Sequence, residues 1–212
     1  IAIGRNSQLL ATTAVDNIGI GYESLRNNTG STNMAIGNYA LRVNTGNFNF
    51  AIGQNSLNVN SSGTENMSLG NNAMLTNTIG SHNSAIGLDA LRTNLSGSYN
   101  AAYGVRSLYS NSTGQYNVSI GADAMYNTTG SFNVGIGPNV GYRSTSGSNN
   151  VFIGYNAFYS TVGNGVYSNN IAIGYEVARN VTTGADNNII IGNSISLPTA
   201  GGDNQLVIGN AI

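Results

Sequence analysis

Cysteine, lysine and tryptophan are absent from this 212-residue chain, and proline occurs only twice. Without cysteine there is no disulfide framework, no thiolate zinc site and no thiol chemistry. Charge is nearly missing too. Only 7% of residues carry one, where about 25% is usual. Seven arginines against eight acids leave a net charge of −1. That excludes the basic stripe of a nucleic-acid binder. No polybasic or amphipathic segment suits a membrane surface, and no apolar run approaches the roughly 20 residues of a membrane-spanning helix. The lone histidine, His82, has only Glu65 one period away, which is no metal-ligand set. No cofactor is expected, and no acids pair as a glycosidase requires, so the chain reads as non-enzymatic. It begins at Ile1 without Met, which reads as a fragment of a longer chain.

What is present is repetition. The stretch NMAIGNYALRVNTG at 33–46 returns as NSAIGLDALRTNLSG from Asn83 and as NVSIGADAMYNTTG from Asn117. Counted on the glycine of the Ile-Gly pair there are 13 copies, from Gly4 to Gly209. Spacings are 16 or 17 residues as far as Gly154, then 20, 18 and 17. The repeat fills residues 1–212, so the chain is a single repeat domain.

Each column has its own chemistry. One residue before the glycine is almost always Ile, and three before is mostly Ile, Val, Met or Phe. Two before is small. Four before is asparagine at Asn17, Asn33, Asn49, Asn66, Asn83, Asn100, Asn117, Asn133, Asn150, Asn170 and Asn188. Strand side chains alternate between faces. The large residues therefore share one face, and asparagine and the small residues share the other. Both faces qualify for burial, and the small column predicts a very close neighbour. A small residue and then Leu, Met or Phe follow at three and four after the glycine, and a polar turn with a second glycine closes the unit. That turn glycine is expected to supply a positive φ.

The unit reads as strand, turn, strand, turn: one coil of an all-β parallel β-roll, a β-solenoid of 13 coils. The asparagines are expected to stack into a ladder, each amide bonding the next. Apolar burial per coil falls short of the entropy of ordering it, which favours burial of a second face against other chains.

The N-x-[AS]-I-G core, followed by small-Leu and N-T-G, resembles the left-handed parallel β-roll repeats in the heads of trimeric autotransporter adhesins. The longer period, with the phrases NTGNFNFAIG and TTGSFNVGIG, is similar to repeats in bacteriophage tail fibres and related bacterial surface fibres. The final run, NNIIIGNSISLPTAGGDNQLVIGNAI, is similar to the segment that leads into a self-cleaving chaperone domain in that second group. The resemblance covers all 212 residues. It implies a left-handed homotrimer of three rolls around a threefold axis, on a cell surface or virion surface, with a structural and adhesive role in attachment. It implies no catalytic residues. The period is longer than in adhesin heads, so packing details do not carry over.

Five after the glycine, next to the buried leucine column, the chain places Arg26, Arg42 and Arg92, then Tyr109, Tyr126, Tyr142 and Tyr159 in four consecutive copies. Stacked coils would align these tyrosines into an outward stripe. The stripe is either an aromatic ladder or a surface for glycans or a receptor. Tyr167, in the 20-residue copy whose extra residues around Val162–Ser168 should bulge, joins the candidate receptor-binding set. Phe48, His82, Tyr99, Tyr116 and Phe132, five before the glycine, are expected in core or corner packing, and Asp89, Arg106 and Asp123 as an ion-pair rung set. The competing reading is an ice-binding or other free-standing β-solenoid. Against it, no outward column is uniformly Thr, and the asparagine column reads as internal.

Overall fold

A computed structural model describes residues 1–10, 14–160 and 165–210. The chain is a parallel β-solenoid. Thirteen short strands pair in strict chain order into one parallel sheet, with about 12 turns between the first and the last. Neighbouring strands are in register column by column. Met34 pairs with Phe50, Ala35 with Ala51 and Ile36 with Ile52. In all but the last two coils, whose strands run on to Asn193 and Asn210, the repeat glycine ends the strand for two physical reasons. Gly104 has φ 136°, and a Cβ there would sit 2.5 Å from the carbonyl oxygen of Gly121 in the next coil. Of the turn glycines, Gly184 has the expected positive φ of 88°, and the others do not. Gly46 has no positive φ; it is required because a Cβ would collide with the carbonyl of Gly63.

The segment after the glycine is not a strand. Ala40 and Leu41 are adjacent and both fully buried, which strand alternation forbids. Tyr39 and Leu41 have φ of 62° and 46°, and this pair of left-handed residues winds the chain into a corner with two successive side chains inward. The second strand lies further on, at Asn27–Asn28, Val43–Asn44 and Val59–Asn60, and forms a three-stranded sheet.

The interior is narrow. The leucine column packs against the small column, with Ala35, Ala51, Ala85, Leu41, Leu57 and Leu91 all at 0% exposure. A Cβ added at Gly135 would come within 2.8 Å of Met125 Cγ. The close neighbour of the small column is therefore the chain's own leucine column. Both faces of the sheet do not become buried: only the small face is inside, and the large residues point out.

One half of the interior is polar. The asparagines four before the repeat glycine, from Asn17 to Asn188, are all buried. The main rung runs to backbone rather than from amide to amide. The Asn49 N–H donates to Asn33 Oδ1 at 2.8 Å, and Asn33 Nδ2 donates to the Gly46 carbonyl at 3.0 Å. From Asn66 onward, side-chain bonds such as Asn83 Nδ2 to Asn66 Oδ1 at 3.1 Å join in several coils. A second ladder escaped the sequence reading. Asn44 Nδ2 donates to Asn28 Oδ1 at 2.7 Å, and the series continues through Asn60, Asn77 and Asn94 to Asn111. It stops there because Thr128 takes the next position and donates to the Ser144 carbonyl instead, at 2.9 Å.

The small-large rule is broken at Phe152, Ile190 and Val207, and at Phe152 the compensation is visible. Phe152 occupies a small-column position, and Gly141 stands where other coils carry Leu or Met. A Cβ on Gly141 would lie 2.7 Å from the Phe152 ring. Gly141 has φ 55° and Leu91 has φ 50°, so leucine suits the backbone there and only the ring obstructs it. Gly141→Leu alone should cost about 1–3 kcal/mol by overpacking, and Phe152→Ala alone about 3–5 kcal/mol by leaving a cavity. The double variant should cost less than the sum by about 1 kcal/mol or more. Urea unfolding of the four proteins checks this, and additive costs would refute the compensation.

Candidate functional site

The outward side of the long sheet is a chemically uniform surface. Its two columns, three and one before the glycine, carry no charged residue from Ile1 to Ile208. Met67, Ile86, Ile120 and Ile136 are 37–40% exposed, and the other members of these columns in the middle coils are half-buried. At the N-terminal end, Ile18, Met34 and Phe50 line a shallow groove with Asp16, Thr32 and Phe48.

The aromatic column five before the glycine borders this face. His82, Tyr99, Tyr116 and Phe132 stack in sequence with centroid separations of 4.7, 4.9 and 5.1 Å. They sit at an outer corner, not in the core. Each has φ between 56° and 60°, and Phe48, Tyr99, Tyr116 and Phe132 are exposed. His82 Nδ1 also lies 3.3 Å from Glu65.

A different surface collects most of the charge. Tyr109, Tyr126, Tyr142 and Tyr159 are half-buried and stack with centroids 4.7, 5.1 and 5.4 Å apart. Inner ring faces are therefore covered by neighbouring rings. Arg92 lies 5.5 Å over Tyr109 and donates to its hydroxyl at 2.8 Å, and Arg143 lies 5.8 Å over Tyr159. What the column offers outward is ring edges and hydroxyls, not the open ring faces on which a sugar stacks. Tyr167 does not join it. It is 1% exposed, packs edge-on against Phe158 at 5.1 Å, and its hydroxyl meets Ser160 Oγ at 3.2 Å. Burial removes it from the receptor-binding candidates. Residues 162–164 of the expected bulge lie outside the described residues, and Gly165 forms a parallel bridge with Ser144.

The ion pairs only partly follow the expected rung set. Arg106 bonds Asp123 at 2.7 Å, while Asp89 pairs within its own coil with Arg92 at 3.3 Å. Glu23 is shared by Arg26 at 3.1 Å and Arg42 at 3.0 Å. Burial alone would raise its carboxyl; Arg26, a hydrogen bond with Tyr22, and Arg42 together hold it below the usual carboxylate value. Among the described residues no group of three or more His, Asp or Glu comes together to hold a metal ion. No helix among them is long and apolar enough to cross a membrane.

The phenol of Tyr126 is raised above its ordinary value, first by burial and then by the neighbouring phenols of Tyr109 and Tyr142. The folded state thus keeps this proton at pH values where the unfolded chain loses it. Its contribution is complete below about pH 10 and disappears as pH rises through the folded value. Tyr126→Phe should lose less melting temperature than the parent between about pH 9 and about pH 11, measured by circular dichroism. An identical alkaline loss in both proteins would contradict this.

Compared with protein-family models, with curated proteins and with solved structures, the chain finds no match.

Proposed function

We propose that this chain is a structural and adhesive segment of a homotrimeric extracellular fibre, of the bacteriophage tail-fibre or bacterial surface-adhesin kind, used for attachment to a host or surface. The observation that carries this reading is the charge-free apolar face, which runs the length of the solenoid and which the chain's own fold leaves uncovered. A monomer rarely exposes so large an apolar patch. At about 4.8 Å per coil the face is roughly 60 Å long. Two columns and their margins make it about 15 Å wide. The area is therefore about 900 Å², close to the ~800 Å² that each partner contributes to a stable interface.

A second copy is the fitting occupant. Its ridges repeat at the same coil spacing, so side chains can interdigitate along the whole rod. Three left-handed rolls around a threefold axis, as the sequence resemblance implies, would bury these faces and leave the arginine and tyrosine columns outside. Those outer columns, with their hydroxyls and low net charge, are where contact with surface glycans or a receptor is assigned. The free-standing ice-binding reading would leave the apolar face in water.

Light scattering should give a mass of three times 21.9 kDa for the assembled protein. Ile120→Asp combined with Ile136→Asp should abolish that mass, and Gln115→Asp, on an exposed turn, should not. A folded native monomer would overturn the proposal.

A further inference from the structure

The apolar face is nearly the same at every coil, and that creates a difficulty. If two such faces slide by one coil, about 4.8 Å, almost every contact is replaced by an equivalent one. A face that repeats coil after coil leaves slipped registers close in energy to the intended one. In a closed ring of identical copies, each step from one copy to the next must also add no net slip, or the ring opens into a heterogeneous assembly.

The face departs from its pattern at one place. Ser84 and Ala101 follow each other in the outer column that otherwise carries Ile, Val, Met, Phe or Leu. Tyr103 is the one aromatic residue in the column of Ile and Leu beside the glycine. These deviations form one device. Ala101 pairs with Ser84 across adjacent strands, and Tyr103 pairs with Ile86. The Tyr103 hydroxyl reaches diagonally to Ser84 Oγ at 3.1 Å. The ring lies across the space that two missing aliphatic side chains would fill, and it brings a polar pair into an otherwise apolar stripe. All three residues are half-buried.

We infer that the Tyr103–Ser84–Ala101 device sets the axial register in which copies of this chain associate; the inference rests on the self-association proposed above. In register, the devices of the copies lie at one height, so each polar pair has its counterparts at hand. Slipped by a coil, the branched side chains of a neighbouring copy would cover the Tyr103 and Ser84 hydroxyls, and its own Tyr103 would stand against Ile or Val. A buried polar residue fixes the register of a coiled coil by the same logic.

The absence of cysteine makes the test clean. A single Ile136→Cys substitution carries a diazirine cross-linker in the assembled 212-residue protein, and cross-linked residues are mapped by mass spectrometry. With the device intact, cross-links between copies should fall on one coil. With Ser84→Val, Ala101→Val and Tyr103→Ile together, which restore side chains found elsewhere in the same columns, they should spread to coils on either side. Tyr103→Phe, which removes only the hydroxyl, should give a smaller spread. Cross-links confined to one coil in all proteins, or spread in all, would overturn the register inference while the fibre reading stands. Loss of association in the otherwise native protein, read as a single-chain mass, would overturn both.

Discussion

Most coils are held at their polar corner by a buried asparagine four before the repeat glycine. Its Oδ1 takes the N–H of the following asparagine, and its Nδ2 binds the carbonyl of a turn residue, as Asn100 does with the Asn117 N–H and the Gly114 carbonyl. Both backbone groups lie inside the roll, where an unpaired one would cost about 1–3 kcal/mol, and the Gly114 carbonyl also takes Asn111 Nδ2 at 3.0 Å. The rung works only if successive coils stack in register. Column identity in the sequence follows from that requirement, since a residue out of register meets the wrong partner above and below.

Stacking also sustains a backbone that a lone coil could not hold. Thr32, Tyr39 and Leu41 in one coil all have φ between 46° and 62°. Such left-handed conformations cost an ordinary L-residue about 1–2 kcal/mol each. They persist because the corner they create points the leucine inward and because neighbouring coils bond the backbone on both sides. The Leu41 N–H donates to the Ser56 carbonyl at 3.1 Å, for example. Cooperativity between coils is therefore built into the geometry, as expected of a one-dimensional repeat protein.

The narrow interior drives the surface chemistry. With the leucine column spanning the width, only Ala, Ser or Gly fits opposite in most coils, and the large residues of the same strands are turned out. Among the exceptions, Phe152 requires Gly141. The apolar columns three and one before the glycine are thus left without cover by the chain's own fold, which is the ground on which self-association is proposed. The tyrosine and arginine columns on the outside stay polar enough to face water.

The sequence by itself determined the coil. Its glycine spacing sets the period, and its asparagine column marks one buried corner, because an amide both accepts and donates at every rung. It also showed that one side of each strand is small and the other large. Only the tertiary structure decided which side is inside, because that depends on how far the leucine column reaches across the roll. The second asparagine ladder was hidden among turn letters such as N-T-G, where asparagine is common for local reasons. The fate of the aromatic columns was also beyond a linear reading. Left-handed φ values turn Tyr99 and Tyr116 to an outer corner, stacking covers the faces of Tyr126 and Tyr142, and the wider core around Phe158 draws Tyr167 inside. Backbone handedness and packing width set these outcomes, and neither is written in any single column.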